Sequence, residues 1–211
     1  MRRCFRPPIP EIFAAARRLN EAVNAHLADC AATAEQLIHV ANDPKIRAWT
    51  ESIWGKRDPE IHRYQQIGNA PPHLPIAERP RPRMPTDATK ADVAQRDRRH
   101  CRFCGIPVIC SRVRLNMHKA YPAALPWGRR NVEQHAAFQC MWMQYDHVLP
   151  NSRGGTSGTH NIVVTCAPCN FGRMEFTLEE NLLIDPRTAP FEPSWDGFEA
   201  WDGLERIMEK R

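Results

Sequence analysis

The sequence predicts an α+β fold, in which a helical N-terminal region is followed by a small unit of two strands and one helix. Three observations support this prediction. Apolar residues recur at three- and four-residue intervals over residues 10–41. Two short segments rich in β-branched and apolar residues, 143–148 and 162–165, flank a glycine-rich loop. Two Cys-x-x-Cys pairs lie before and at the end of this unit.

The N-terminal region is predicted to be helical. The apolar stripe over residues 10–41 indicates one amphipathic helix or two helices in tandem, and Pro10 suits a first helical turn. Asp43 before Pro44 predicts an N-cap and the start of a further helix, which Gly55 would end. A stripe of this kind is usually core or a surface for a partner helix, so we assign no chemistry to it.

A proline-rich segment follows the helices. Residues 71–85 contain six prolines with interspersed arginines, a composition typical of an extended linker or strap and of a domain boundary. We therefore divide the chain into four regions: helical 1–65, linker 66–87, the domain with the strands at 88–190, and an acidic tail or helix at 191–211.

Four shorter elements are predicted between the linker and the first strand: a basic helix over 88–99, a strand over 106–110, and helices over 112–121 and 131–141. The helix after the second strand is predicted to begin at Ala167 and to run through Asn170 and Arg173. A strand–loop–strand–helix order results.

The charges are unevenly placed along the chain. Residues 77–130 hold thirteen Lys/Arg against four acids, a balance of +9, whereas residues 175–211 hold four bases against ten acids, a balance of −6. This asymmetry suits a nucleic-acid-binding middle with an acidic tail, and a solvated basic face is the alternative. No apolar run is long enough to cross a bilayer and no signal peptide is evident, so we expect no membrane association and a cytoplasmic location.

Four of the eight cysteines are paired by spacing, and they are Cys101, Cys104, Cys166 and Cys169. Two such knuckles can hold one tetrahedral zinc ion, because a two-residue gap lets both sulfurs of a pair point at the same ion. A redox pair or a coincidence of cysteines is the alternative. A site closed by four sulfurs has no open position, so this zinc would be structural. We expect the neighbouring His100 at the surface, and its use as a substitute ligand is the alternative.

The segment from Tyr145 to Thr156, YDHVLPNSRGGT, followed by NIVVTCAPCN from Asn161, resembles the HNH endonuclease motif. His147 precedes Asn161 by fourteen residues and Asn161 precedes Asn170 by nine, the spacings expected of that family. Asparagine stands at the last position, where many members have histidine, so this would be an HNN variant. The resemblance covers about thirty residues and implies a small ββα-metal (HNH) domain with a treble-clef-like structural zinc.

The resemblance also implies roles for the motif residues. Asp146 and Asn170 would bind the catalytic metal, Mg²⁺ or another divalent cation, and His147 would activate a water molecule. Carboxylate and amide oxygens are ligands that Mg²⁺ prefers, and a neutral imidazole is a natural base near pH 7. Asn161 would tie down the loop and orient His147. Adjacent strand residues point to opposite faces, so Asp146 and His147 can cooperate only if the strand is distorted there.

Arg153 in the loop and Arg173 on the helix are candidates for phosphate contacts, and solvent-exposed arginines are the alternative. The resulting hypothesis is an endonuclease that hydrolyses DNA by a one-metal mechanism, with RNA as an open alternative substrate. Its main rival is a non-catalytic zinc-dependent module that binds nucleic acid. A further rival is an adaptor whose function lies in the N-terminal helices, which also offer a surface for a homodimer.

Overall fold

The N-terminal region consists of three helices. The computed structural model describes residues 1–54, 61, 64–190 and 195–209. Helices α1 (Pro10–Leu27) and α2 (Ala31–Val40) are separate, so the tandem arrangement is the correct one, and α1 buries its apolar stripe against α2. Helix α3 (Pro44–Trp54) begins as predicted, since the Asp43 carboxylate accepts a hydrogen bond from the Lys45 backbone N–H at 2.8 Å. Gly55 lies outside the described residues.

The strand–loop–strand–helix unit forms as predicted. Strand β1 (Met143–His147) pairs antiparallel with β2 (Ile162–Cys166), and His147 lies opposite Ile162. All five residues of β2 are buried. Helix α7 (Ala167–Arg173) starts directly after β2 and packs against both strands. The second Cys-x-x-Cys pair therefore lies at the junction of β2 and α7.

Three helices lie between the proline-rich segment and β1: α4 (Asp87–Arg96), α5 (Ser111–Ala120) and α6 (Ala136–Cys140). Two predictions in this stretch need correction. Residues 106–110 form no strand; they make only isolated bridges, between His100 and Pro107 and between Ile109 and Trp142. The helix predicted over 131–141 is short, because the chain first forms a 3₁₀ turn at Asn131–Glu133 and then caps α6 with the His135 side chain.

One apolar core joins the N-terminal helices to the strands. It includes Ile12 on α1, Ile53 on α3 and Val163 on β2, and α3 packs against both α6 and α7. A buried histidine strengthens this junction, since His135 Nε2 donates to the Ile38 carbonyl of α2 at 2.9 Å. The division into four regions stays a prediction, but α3 packs directly against the motif helix α7. No helix among the described residues is long and apolar enough to cross a membrane.

The acidic C-terminal segment packs back on the basic middle of the chain. Glu199 pairs with Arg98 at 2.9 Å and Glu205 pairs with Arg99 at 2.7 Å. Near its end the segment forms a short 3₁₀ helix at Glu205–Met208. Part of the basic excess predicted for nucleic acid is therefore neutralised within the protein.

Candidate active site

The four paired cysteines converge on one point. The sulfurs of Cys101, Cys104, Cys166 and Cys169 all lie within 4.8 Å of one another, and all four residues are buried. The Cys104 and Cys166 sulfurs are 3.6 Å apart. A tetrahedral site with Zn–S bonds of about 2.3 Å requires sulfurs about 3.8 Å apart, so the cluster fits a zinc ion. Burial raises the pKa of the Cys166 thiol to about 12, whereas hydrogen bonds from the three neighbouring cysteines hold the pKa of the Cys101 thiol well below its ordinary value.

The predicted surface position of His100 is wrong, since this residue is fully buried beside the first knuckle. Trp195 Nε1 donates to His100 Nε2 at 3.1 Å, and His100 Nδ1 lies 2.6 Å from the Arg98 carbonyl oxygen. Both ring nitrogens are therefore engaged by protein groups. Burial lowers the pKa of His100 to about 4, so the ring is neutral. It supports the knuckle and is not a fifth ligand.

Three of the four motif residues line a single cleft of about 1050 Å³: Asp146, His147 and Asn170. Asp146 is buried at 6% exposure, whereas His147 and Asn170 are half-buried. His147 is the last residue of β1, and the chain turns directly after it. Asp146 and His147 line the same cleft although they are adjacent in the strand, and His147 stands where the strand ends.

Asn161 does not line this cleft, and its side chain binds the main chain of the loop. Its Oδ1 accepts from the Leu149 N–H at 2.8 Å, while its Nδ2 donates to the carbonyls of Leu149 at 3.0 Å and Thr156 at 2.9 Å. These three bonds close the glycine-rich loop between β1 and β2. These bonds support the predicted tie to the loop, while the orientation of His147 by Asn161 stays a prediction.

Arg173 lies in the wall of the cleft and is 1% exposed. Its guanidinium donates to both oxygens of Asp146, at 2.7 Å and 2.6 Å. It also donates to the carbonyls of His147, Val148 and Phe176. Five bonds therefore hold this guanidinium in place, and a phosphate contact, which remains a prediction, would have to compete with them.

Arg153 has a similar environment in the loop. It is buried, and its guanidinium pairs with Glu180 at 2.9 Å and donates to the Pro71 carbonyl. In this arrangement Arg153 ties the loop to the segment after α7. Solvent exposure, the alternative considered for both arginines, does not apply to either of them, and a phosphate contact from Arg153 also stays a prediction.

The chemistry of the cleft fits a hard divalent cation. Asp146 offers carboxylate oxygens, and each oxygen has a second lone pair beyond the one that Arg173 uses. The Asn170 side chain makes no hydrogen bond within the described part of the chain, so its amide oxygen is available. An acid and an amide oxygen at one water-accessible cleft are suited to Mg²⁺, which keeps several of its waters.

The cleft is also lined by cations that the sequence did not single out as site residues. They are Arg79, Arg83, Lys90 and Arg112. Arg83 and Arg112 are exposed, whereas Lys90 pairs with Asp87 at 2.9 Å. All four come from the predicted basic stretch 77–130. The excess of positive charge over residues 77–130 was the sequence feature that pointed to them, but the fold was needed to show which of its lysines and arginines reach the cleft.

The environment of His147 favours a neutral imidazole. Burial lowers its pKa, with smaller contributions from Arg173 and Arg83, while Asp146 acts in the opposite direction. Its Nε2 lies 3.0 Å from the Ser157 hydroxyl. Sequence reasoning missed Ser157, because a serine in a glycine-rich loop carries no signal of its own.

Comparison with known protein families agrees with the motif. Residues 138–181 match the HNH endonuclease family, a segment that contains both strands, α7 and all four motif residues. The resemblance derived from the sequence is thus confirmed for this segment. No curated protein and no solved structure shows significant similarity to the chain.

Proposed function

We propose that this protein is a metal-dependent endonuclease that hydrolyses phosphodiester bonds in DNA. The observation that carries the proposal is the convergence of Asp146, His147 and Asn170 on one cleft whose rim is basic. Exposed Arg83 and Arg112 offer contacts for the phosphate backbone. Contacts to phosphates position a protein on nucleic acid without reading its sequence. The match of residues 138–181 to HNH endonucleases supports the same assignment.

In the proposed reaction His147 takes a proton from the attacking water. Burial supports this role, because a lowered pKa keeps the imidazole neutral and able to accept a proton at pH 7. Asp146 and Asn170 would hold the divalent cation, which supplies charge neutralisation at the phosphate and the leaving oxygen. Arg173 holds Asp146 in place, and Asn161 holds the loop that follows His147.

The four-cysteine cluster is proposed to bind structural zinc. Cys169 and Asn170 are consecutive in α7, so the position of the sulfur site determines where the amide ligand lies. Loss of zinc would therefore disturb the cleft without removing any of its residues. The homodimer and the cytoplasmic location stay predictions of the sequence.

The decisive experiment is a plasmid-nicking assay with Mg²⁺, run in parallel on RNA. Wild type should convert supercoiled plasmid to the nicked or linear form, and His147→Ala should not. His39→Ala is the matched control, because His39 is an exposed histidine on α2 that does not line the cleft. Wild type that binds DNA without cutting it would favour the rival, a non-catalytic zinc-dependent module. Cutting that survives His147→Ala would refute the assigned base.

A further inference from the structure

We propose that Ser157 is a positioning residue for His147, and that the proline-rich strap, residues 71–85, is part of the catalytic apparatus through Ser157. The inference rests on the proposed function, in which His147 is the base. It adds a residue and a segment outside the motif, and it states which ring nitrogen accepts the proton.

The argument begins with the three groups around the Ser157 hydroxyl. Its oxygen lies 3.0 Å from His147 Nε2, 2.8 Å from the Pro82 carbonyl oxygen and 2.9 Å from the Arg83 carbonyl oxygen. Carbonyls only accept hydrogen bonds, and a hydroxyl has a single proton to donate. The Ser157 O–H therefore donates to a carbonyl of the strap, and its oxygen accepts a hydrogen bond from the N–H at His147 Nε2.

This network determines the tautomer of a neutral His147. With the proton on Nε2, the lone pair is on Nδ1, and Nδ1 is the atom that can accept a proton from water. A histidine without such a partner exchanges between both tautomers and can rotate its ring. Only a fraction of the molecules would then present the basic nitrogen to the attacking water.

The strap is held firmly enough to serve as the fixed end of this network. The Leu74 N–H donates to the Ser152 carbonyl at 2.7 Å, and Asn151 Nδ2 donates to the Pro80 carbonyl at 2.9 Å. Arg79 Nε donates to the Leu74 carbonyl at 3.0 Å. The strap thus runs along the loop that follows His147. Its carbonyls at positions 82 and 83 have fixed places relative to the imidazole.

The test compares three variants of the full-length protein. Ser157→Ala removes the acceptor, Ser157→Thr retains a hydroxyl, and Thr159→Ala removes an exposed hydroxyl two residues further along the same loop. Ser157→Ala should lower kcat for plasmid nicking about tenfold, the scale expected for one neutral hydrogen bond, and leave KM unchanged. Ser157→Thr should recover most of the rate, and Thr159→Ala should match wild type.

The second readout is the ¹⁵N NMR spectrum of the histidine rings, which distinguishes the two tautomers without requiring turnover. Wild-type His147, assigned with His147→Ala, should carry its proton on Nε2, and Ser157→Ala should shift its signals toward a tautomer mixture. A proton on Nδ1 in wild type overturns the inference, even if Ser157→Ala fails to fold. Nicking unchanged in a folded Ser157→Ala overturns it too, whereas absence of nicking by wild type contradicts the proposed function itself.

Discussion

Replacement of Arg173 by methionine should be among the most destabilising single changes in this protein. Met keeps much of the side-chain volume but removes the guanidinium. Asp146 then loses both hydrogen bonds from its charged partner, and the carbonyls of His147, Val148 and Phe176 lose a donor. The Asp146 side chain is only 8% exposed, so water replaces little of what is lost.

The magnitude follows from the burial of the pair. Breaking a buried ion pair by removing one partner costs about 3–5 kcal/mol, because the remaining charge stays buried without compensation. Arg187→Met is the matched control, since Arg187 also binds a carboxylate, that of Asp185, through two nitrogens. In this pair the Arg187 side chain is 41% exposed and the Asp185 side chain is 28% exposed. An exposed pair of this kind contributes about 0–1 kcal/mol.

Urea unfolding of the zinc-loaded protein, followed by tryptophan fluorescence, measures both free energies. The double variant Asp146→Asn with Arg173→Met should be more stable than Arg173→Met alone, because it contains no orphaned carboxylate. An Arg173→Met variant within about 1 kcal/mol of wild type would refute the reasoning. So would a double variant whose loss equals the sum of the two single losses.

Two further changes test the zinc site and the loop. Purified protein should contain about one zinc per chain by elemental analysis. Cys104→Ser should lose the metal and the fold, whereas the control Cys30→Ser, at an exposed cysteine, should lose neither. A stable protein without metal would contradict the zinc proposal. Gly155→Ala should destabilise the protein by about 1–3 kcal/mol in the same urea assay and abolish nicking. The reason is that the new Cβ would lie 1.8 Å from the Leu149 carbonyl oxygen. Gly68→Ala is the control, because a Cβ there meets nothing within 4 Å. Equal stability of the two variants would speak against this close packing.

Local spacing was sufficient to predict the elements of the site. The fourteen- and nine-residue intervals among His147, Asn161 and Asn170 correspond to one strand, one loop, a second strand and a helical turn, so they predict both type and order. The cysteine pairs were equally informative, because each knuckle is a local structure and four buried sulfurs have few other uses in a reduced protein. The strand predicted over 106–110 failed, because formation of a ladder depends on partner residues elsewhere in the chain.

What the sequence by itself determined, then, is the α+β class, the ββα segment, the cysteine quartet and the motif residues. Only the tertiary structure decided that Arg173 pairs with Asp146, that Arg153 pairs with Glu180, and that Ser157 links His147 to the strap. The physical reason is that these partners lie 10 to 75 residues apart and no periodicity relates them. The sequence records an arginine in the same way whether its guanidinium lies in solvent or in the wall of a cleft. Packing alone determines which carboxylate it meets.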